Sequence, residues 1–188
     1  MYRTLLADAS FHELLLAFDR DLAARTRAGR CPRCGGVLHA APFWRKPRGV
    51  PAGLDEGHAQ RFSFCCAARE CRKRKTPSSL RFLGAKVYAG VMVVVVSAMR
   101  QGGKPTRQLA ALLGVSRRTI ARWRDWWRAA LTASSFWRVA AAAFMPPVDE
   151  AALPGALLER FTSTVADQML GLLRFLLPIT GGRAVQVF

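Results

Sequence analysis

TRQLAALLGVSRRTIARWRDWWR, residues Thr106 to Arg128, is the stretch whose reading decides the fold. Leu109, Leu112 and Leu113 recur at helical spacing, so one face of a short helix is apolar. Gly114 ends that helix, where a residue with positive φ is wanted. Val115 plugs the turn. Ser116 suits the N-cap of a second helix, because its hydroxyl accepts from a free backbone N–H. Ala110 is small and lets the two helices approach closely. Ile120 and Trp123 face inward. That leaves Ser116, Arg117, Arg118, Thr119, Ala121 and Arg122 expected to point outward near the start of the second helix.

The run LAALLGVSRRTIARW resembles the helix-turn-helix of resolvases, repressors and transposases. Glycine, alanine and two apolar plugs fall in register with that motif. The resemblance implies duplex DNA as partner, with the start of the second helix in the major groove. Arg117, Arg118 and Arg122 are then candidates for guanine contacts, because a guanidinium can bond O6 and N7 together. Ser116 and Thr119 are candidates for phosphate or base contacts. The plain alternative is an ordinary helical hairpin with a solvated basic face.

Composition agrees with a polyanionic partner. Lys and Arg number 29 against 12 Asp and Glu, a net charge of +17 in 188 residues. The sequence pI is near 11.3. Nucleic acid comes first as a partner and an anionic membrane surface second. Half the chain is hydrophobic, which excludes a disordered tail. Met1 to Ser10 has no long apolar core, so no secretory signal is expected. Val87 to Met99 falls short of the roughly 20 residues a membrane span needs. The expected location is therefore cytoplasmic, where cysteines more often hold metal than form disulfides.

Ser10 to Arg27 reads as an amphipathic helix. Leu14, Leu15, Phe18, Leu22 and Ala23 mark its apolar side, and Glu13, Asp19, Arg20 and Arg25 its polar side. Ser10 with Glu13 makes a capping box, and Gly29 ends the helix. Cys31-Pro32-Arg33-Cys34-Gly35-Gly36 follows, a zinc-knuckle pattern and half of a tetrahedral site. The other half must come from Cys65, Cys66 and Cys71, after an alternating strand Arg61-Phe62-Ser63-Phe64. The expected zinc ligands are Cys31, Cys34, Cys66 and Cys71, with Cys65 a buried neighbour. Exchange of Cys65 for Cys66 stays open, and unliganded buried thiols are the plain alternative. His39 is expected at the surface.

Arg45, Lys46 and Arg48 lie on a Pro/Gly loop, and Arg72, Lys73 and Arg74 flank the last cysteine. Both sets are expected to touch phosphate. Gly84 to Arg100 is valine-rich and strand-prone, yet its all-round apolar pattern suits a buried helix. After Arg128, Phe136, Trp137, Phe144 and Met145 are spaced as a helix face, and Pro146-Pro147 breaks it. Leu157 to Leu177 reads as one or two helices. This region suits a bundle on the reading domain, a homodimer interface or a surface for a transposase partner.

FCCAARECRKRKTPSSLRFLGAKVYAGVMV resembles the zinc-ribbon segment that opens many insertion-sequence transposases. With the helix-turn-helix, the resemblance covers roughly residues 31 to 130. Two departures stand out: the doubled Cys65-Cys66, and the lack of a recognisable ribonuclease-H-like catalytic domain. The resemblance implies a mobile-element setting, as an accessory protein or a transposase remnant.

The expected architecture is mainly α with a small β zinc ribbon, and a trihelical helix-turn-helix followed by C-terminal helices. Its expected divisions are an N-terminal helix over 1–30, a zinc ribbon over 31–84, the DNA-binding domain over 85–132 and a helical extension over 133–188. No catalysis is expected. A metal-dependent nuclease needs convergent carboxylates. After the reading motif only Asp149, Glu150, Glu159 and Asp167 remain. His12, His39 and His58 sit in no nucleophile motif. The expected function is sequence-directed binding of double-stranded DNA. A transcriptional regulator and a divergent catalytic transposase or recombinase are the alternatives.

Overall fold

The computed structural model describes residues 3–45, 48–51, 53–83, 88–101, 105–161 and 163–181. It is mostly helical, with small antiparallel sheets. The helices are α1 (Arg3–Ala7), α2 (Ala9–Ala28), α3 (Gly90–Gln101), α4 (Thr106–Leu113), α5 (Arg117–Asp125), α6 (Ser135–Ala140), α7 (Gly155–Leu158) and α8 (Val165–Phe175). The strands are β1 (Leu38–Ala40), β2 (Phe43–Trp44), β3 (Gln60–Arg61), β4 (Phe64–Cys66) and β5 (Arg74–Lys75). Two compact units emerge, one built on Ala7–Ala89 with Leu177–Ala184, the other on Gly90–Leu176. No helix among the described residues is long and apolar enough to cross a membrane.

In the first unit, β1, β4 and β5 form an antiparallel sheet in which β4 is central. Leu38 pairs with Cys66, His39 with Cys65 and Ala40 with Phe64. A separate ribbon joins β2 to β3, pairing Phe43 with Arg61. Ala23 of α2 packs with Cys31, Leu38, Phe64 and Cys66 in one buried cluster. Three expectations change here. The cap of α2 is Asp8, whose carboxylate accepts from the Phe11 N–H at 3.2 Å; Ser10 lies inside the helix. Leu14, expected inside, is exposed, and Asp19, expected outside, is buried.

Tertiary pairing explains Asp19. Its carboxylate accepts from the Leu80 N–H at 2.7 Å and from Arg81 Nε at 2.8 Å. The same guanidinium donates to the carbonyls of Gly57, His58 and Gln60. One buried ion pair thus ties α2 to two loops, with its remaining donors satisfied. The 61–64 segment also departs from simple alternation. Arg61 and Ser63 are buried and Phe62 only half so. Arg61 donates to the carbonyls of Pro77 and Thr180, and burial pulls its pKa down to about 10.

In the second unit, α3 is the centre. Val91, Val93, Val94, Val95 and Val96 are all buried, and α3 packs against α4, α5, α7 and α8. The helix begins at Gly90, later than expected. Ala89 donates its N–H to the Arg48 carbonyl at 3.0 Å, which holds the chain extended before it. Residues 84–87 lie outside the described residues. The C-terminal run forms two helices, α7 and α8, packed on α3. Phe136, Phe144 and Phe161 gather around Phe175. Met145, expected on that face, is 83 % exposed, because α6 has ended and Pro146 turns the chain. Gly171 is required by the packing: a Cβ there would meet the Phe161 ring at 2.6 Å.

Candidate nucleic-acid interface and metal centre

The turn between α4 and α5 is set by three residues in sequence. Gly114 adopts the left-handed conformation at φ 62°, where a Cβ is disfavoured. Val115 is buried beneath the turn. Ser116 then caps α5, its hydroxyl accepting from the Thr119 N–H at 3.1 Å. Ile120, Trp123, Trp126 and Trp127 are buried, and the helix continues as wider π-type turns over Trp126–Leu131. Of the leucines on α4, only Leu109 is buried; Leu112 is 41 % exposed.

The outward face of α5 carries Arg117, Arg118 and Arg122, all exposed, with Ser116 exposed at its start. Arg118 and Arg122 are one turn apart and share a face. Thr119 is the correction: it is buried, and its hydroxyl lies 2.9 Å from that of Ser116. It belongs to the cap and not to the outward face. Arg122 reaches back to the Thr119 oxygen at 3.4 Å. Sequence reading passed over Arg107, exposed in the first turn of α4. Its signal was its place at the start of the first helix, which crosses the DNA backbone in such motifs.

The cysteines meet in the other unit. One sulfur each from Cys31, Cys34, Cys66 and Cys71 lies within 4.8 Å of the others. Cys31 Sγ and Cys71 Sγ are 3.7 Å apart, and Cys34 Sγ and Cys66 Sγ 3.5 Å. A disulfide would need about 2.05 Å. A tetrahedral metal with sulfur bonds of about 2.3 Å has sulfur–sulfur edges of about 3.8 Å. The cluster is therefore close enough, and of the right donor type, to hold a metal ion. It is Cys66 that joins, because adjacent residues of β4 point to opposite faces. Cys65 is half-buried, not fully buried as expected, and its thiol lies 3.4 Å from the Arg72 carbonyl. His39 is exposed, as expected.

The knuckle loops support the sulfurs. The Cys31 N–H bonds the Gly36 carbonyl at 2.9 Å, and Gly35 returns to the Cys31 carbonyl at 2.8 Å. Gly35 takes φ 69°. A Cβ on Gly36 would lie 3.1 Å from Cys66 Sγ and 3.3 Å from Cys34 Sγ, so glycine leaves the room the sulfurs occupy. The Arg33 N–H aimed at Cys31 draws its thiol down to about 6, and burial pushes the Cys66 thiol up to about 12. A shared cation would reconcile the two by holding both as thiolates.

The remaining cations lie on the same unit as the cysteines. Arg48, Arg72, Lys73 and Arg74 are exposed, while Arg45 is half-buried. Arg45 and Arg74 both lie over the Phe43 ring, at 5.6 and 5.9 Å from its centroid. Lys46 lies outside the described residues.

A family model described as a homeodomain-like domain matches residues 93–132. That span takes in most of α3, all of α4 and α5, and the π-type turns. No curated protein and no solved structure matches the chain. The match identifies a homeodomain-like helix-turn-helix, an architecture that points to DNA binding.

Proposed function

We propose that this protein binds double-stranded DNA in a sequence-directed way. The observation that carries the reading is α5: a capped helix after a left-handed glycine, with Arg117, Arg118 and Arg122 free of the core. The homeodomain-like match over the same residues supports it. Arg117, Arg118 and Arg122 read base edges, and Ser116 contacts phosphate or a base. Arg45, Lys46, Arg48, Arg72, Lys73 and Arg74 contact phosphate, as does Arg107. Thr119 acts indirectly, through the cap.

The cysteine cluster holds one structural zinc through Cys31, Cys34, Cys66 and Cys71. Zinc would supply the cross-link between two loops that share only short strands. The protein binds and does not catalyse. Three of the four carboxylates after α5 have structural partners: Asp149 accepts from the Ala151 N–H, Glu150 from Trp137 Nε1, and Asp167 closes a capping box with Thr164. The resemblance of the cysteine segment to insertion-sequence transposases supports a mobile-element setting, as accessory protein or transposase remnant. The experiment is selection of duplexes from a random pool by the full chain. A shared motif is expected among the recovered sequences. Recovery with no common motif contradicts sequence-directed binding.

A further inference from the structure

Three titratable side chains that belong to no part of the cysteine cluster meet in the same unit. Glu13 projects from α2, Asp55 directly precedes the turn at Glu56–Ala59, and His58 lies within it. One oxygen from each carboxylate and one imidazole nitrogen lie within 4.8 Å of one another. His58 Nε2 is 3.5 Å from Glu13 Oε1, and His58 Nδ1 is 3.5 Å from Asp55 Oδ1. The imidazole side chain is 4 % exposed, and the carboxylates are about half exposed, at 52 % and 62 %.

Ordinary hydrogen bonding does not explain the arrangement. Neither ring nitrogen of His58 has a hydrogen-bond partner among the described residues, though both are buried. A buried imidazole in that state is costly. The 3.5 Å separations exceed the ~2.7–3.2 Å of an N–H···O bond. The two run from different ring nitrogens, so only one of them can be a ligand edge of a single ion, for which tetrahedral bonds of about 2.1 Å give about 3.4 Å. Asp55 precedes its turn as an N-cap, where a carboxylate usually accepts a backbone N–H, yet it makes no capping bond. It lies over Gly57, where a Cβ would stand 2.7 Å from Asp55 Oδ1. The glycine thus leaves room for a carboxylate turned toward the imidazole. The Arg81 guanidinium donates to the Gly57 and His58 carbonyls, but its charge is matched by Asp19.

We propose that Glu13, Asp55 and His58 form a second divalent-metal site, of the zinc type, separate from the cysteine cluster. One imidazole nitrogen and two carboxylate oxygens supply three ligands, and water completes the fourth position. The ion cancels the repulsion of two neighbouring carboxylates and takes one nitrogen of the buried imidazole, leaving the other to face a carboxylate. It pins the 55–58 turn to α2, a contact the cysteines do not make.

The test is zinc titration of the full chain already holding one equivalent of zinc, followed by calorimetry and metal analysis. A second equivalent is expected at micromolar zinc. Glu13→Gln and Asp55→Asn act at half-exposed side chains and leave the fold intact, as circular dichroism would verify. Each should weaken the second equivalent by at least about tenfold while the first remains. His58→Ala should abolish it. A second equivalent that survives all three variants overturns the proposal, as does its absence from the wild type. A melting temperature unmoved by the second equivalent of zinc also overturns it.

Discussion

Cys65 and Cys66 are neighbours in sequence and opposites in the sheet. The strand period turns Cys66 toward Cys34 and Cys65 toward the Arg72 carbonyl. Cys66→Ser should therefore abolish the bound zinc and unfold the surrounding loops, while Cys65→Ser should retain one equivalent; metal analysis of the two purified variants separates them. Asp19 is the other decisive residue. Asp19→Ala leaves the Arg81 guanidinium buried without its carboxylate, which costs about 3–5 kcal/mol. A denaturant melt of the variant should show that loss, and a change under about 1 kcal/mol would remove the pair from the account of stability. The cysteine cluster was legible in the sequence because Cys-Pro-x-Cys-Gly is a local pattern. Cys66 was favoured over Cys65 from the sequence with their exchange left open, and the strand register brings Cys66 into the cluster. Asp19 was not legible, since Arg81 lies 62 positions away and helical periodicity alone put the carboxylate outside.

The turn between α4 and α5 shows how a short element is specified. Gly114 supplies the left-handed backbone and Ser116 the cap, and both rules act within a few residues. That locality is why the turn could be read from the chain. Gly114→Ala should destabilise its unit by about 1–2 kcal/mol through the left-handed penalty, and Ser116→Ala by about 1 kcal/mol through the lost cap. Thermal melts would register both, and an unchanged melting temperature for Gly114→Ala would rule out the left-handed turn. Thr119 was misjudged because periodicity places it outward, whereas the cap draws its hydroxyl to Ser116. The start of α3 was misjudged for a similar reason. Apolar pattern extends before Gly90, but the Ala89 N–H is taken by Arg48. Local pattern identifies an element; partners from elsewhere decide its ends and its polar exceptions.

For the whole molecule, charge is the governing quantity. A net charge of +17 with exposed arginines on α5 and around the cysteine loops suits a phosphate backbone. Binding to duplex DNA should fall more than about tenfold between roughly 50 and 200 mM salt, as counterions are released. Affinity nearly constant over that range would point to a partner other than DNA. Arg74→Ala should weaken all duplexes about equally and reduce the salt slope by about one unit. The central claim is that α5 reads bases, and the direct measurement compares Arg118→Ala with wild type on the selected duplex and on a scrambled one. The account predicts a loss of about 1–3 kcal/mol on the selected duplex, little change on the scrambled one, and relaxed preference at one or two base pairs. Equal weakening on both duplexes would contradict it, and would make α4 and α5 a structural hairpin with a basic face.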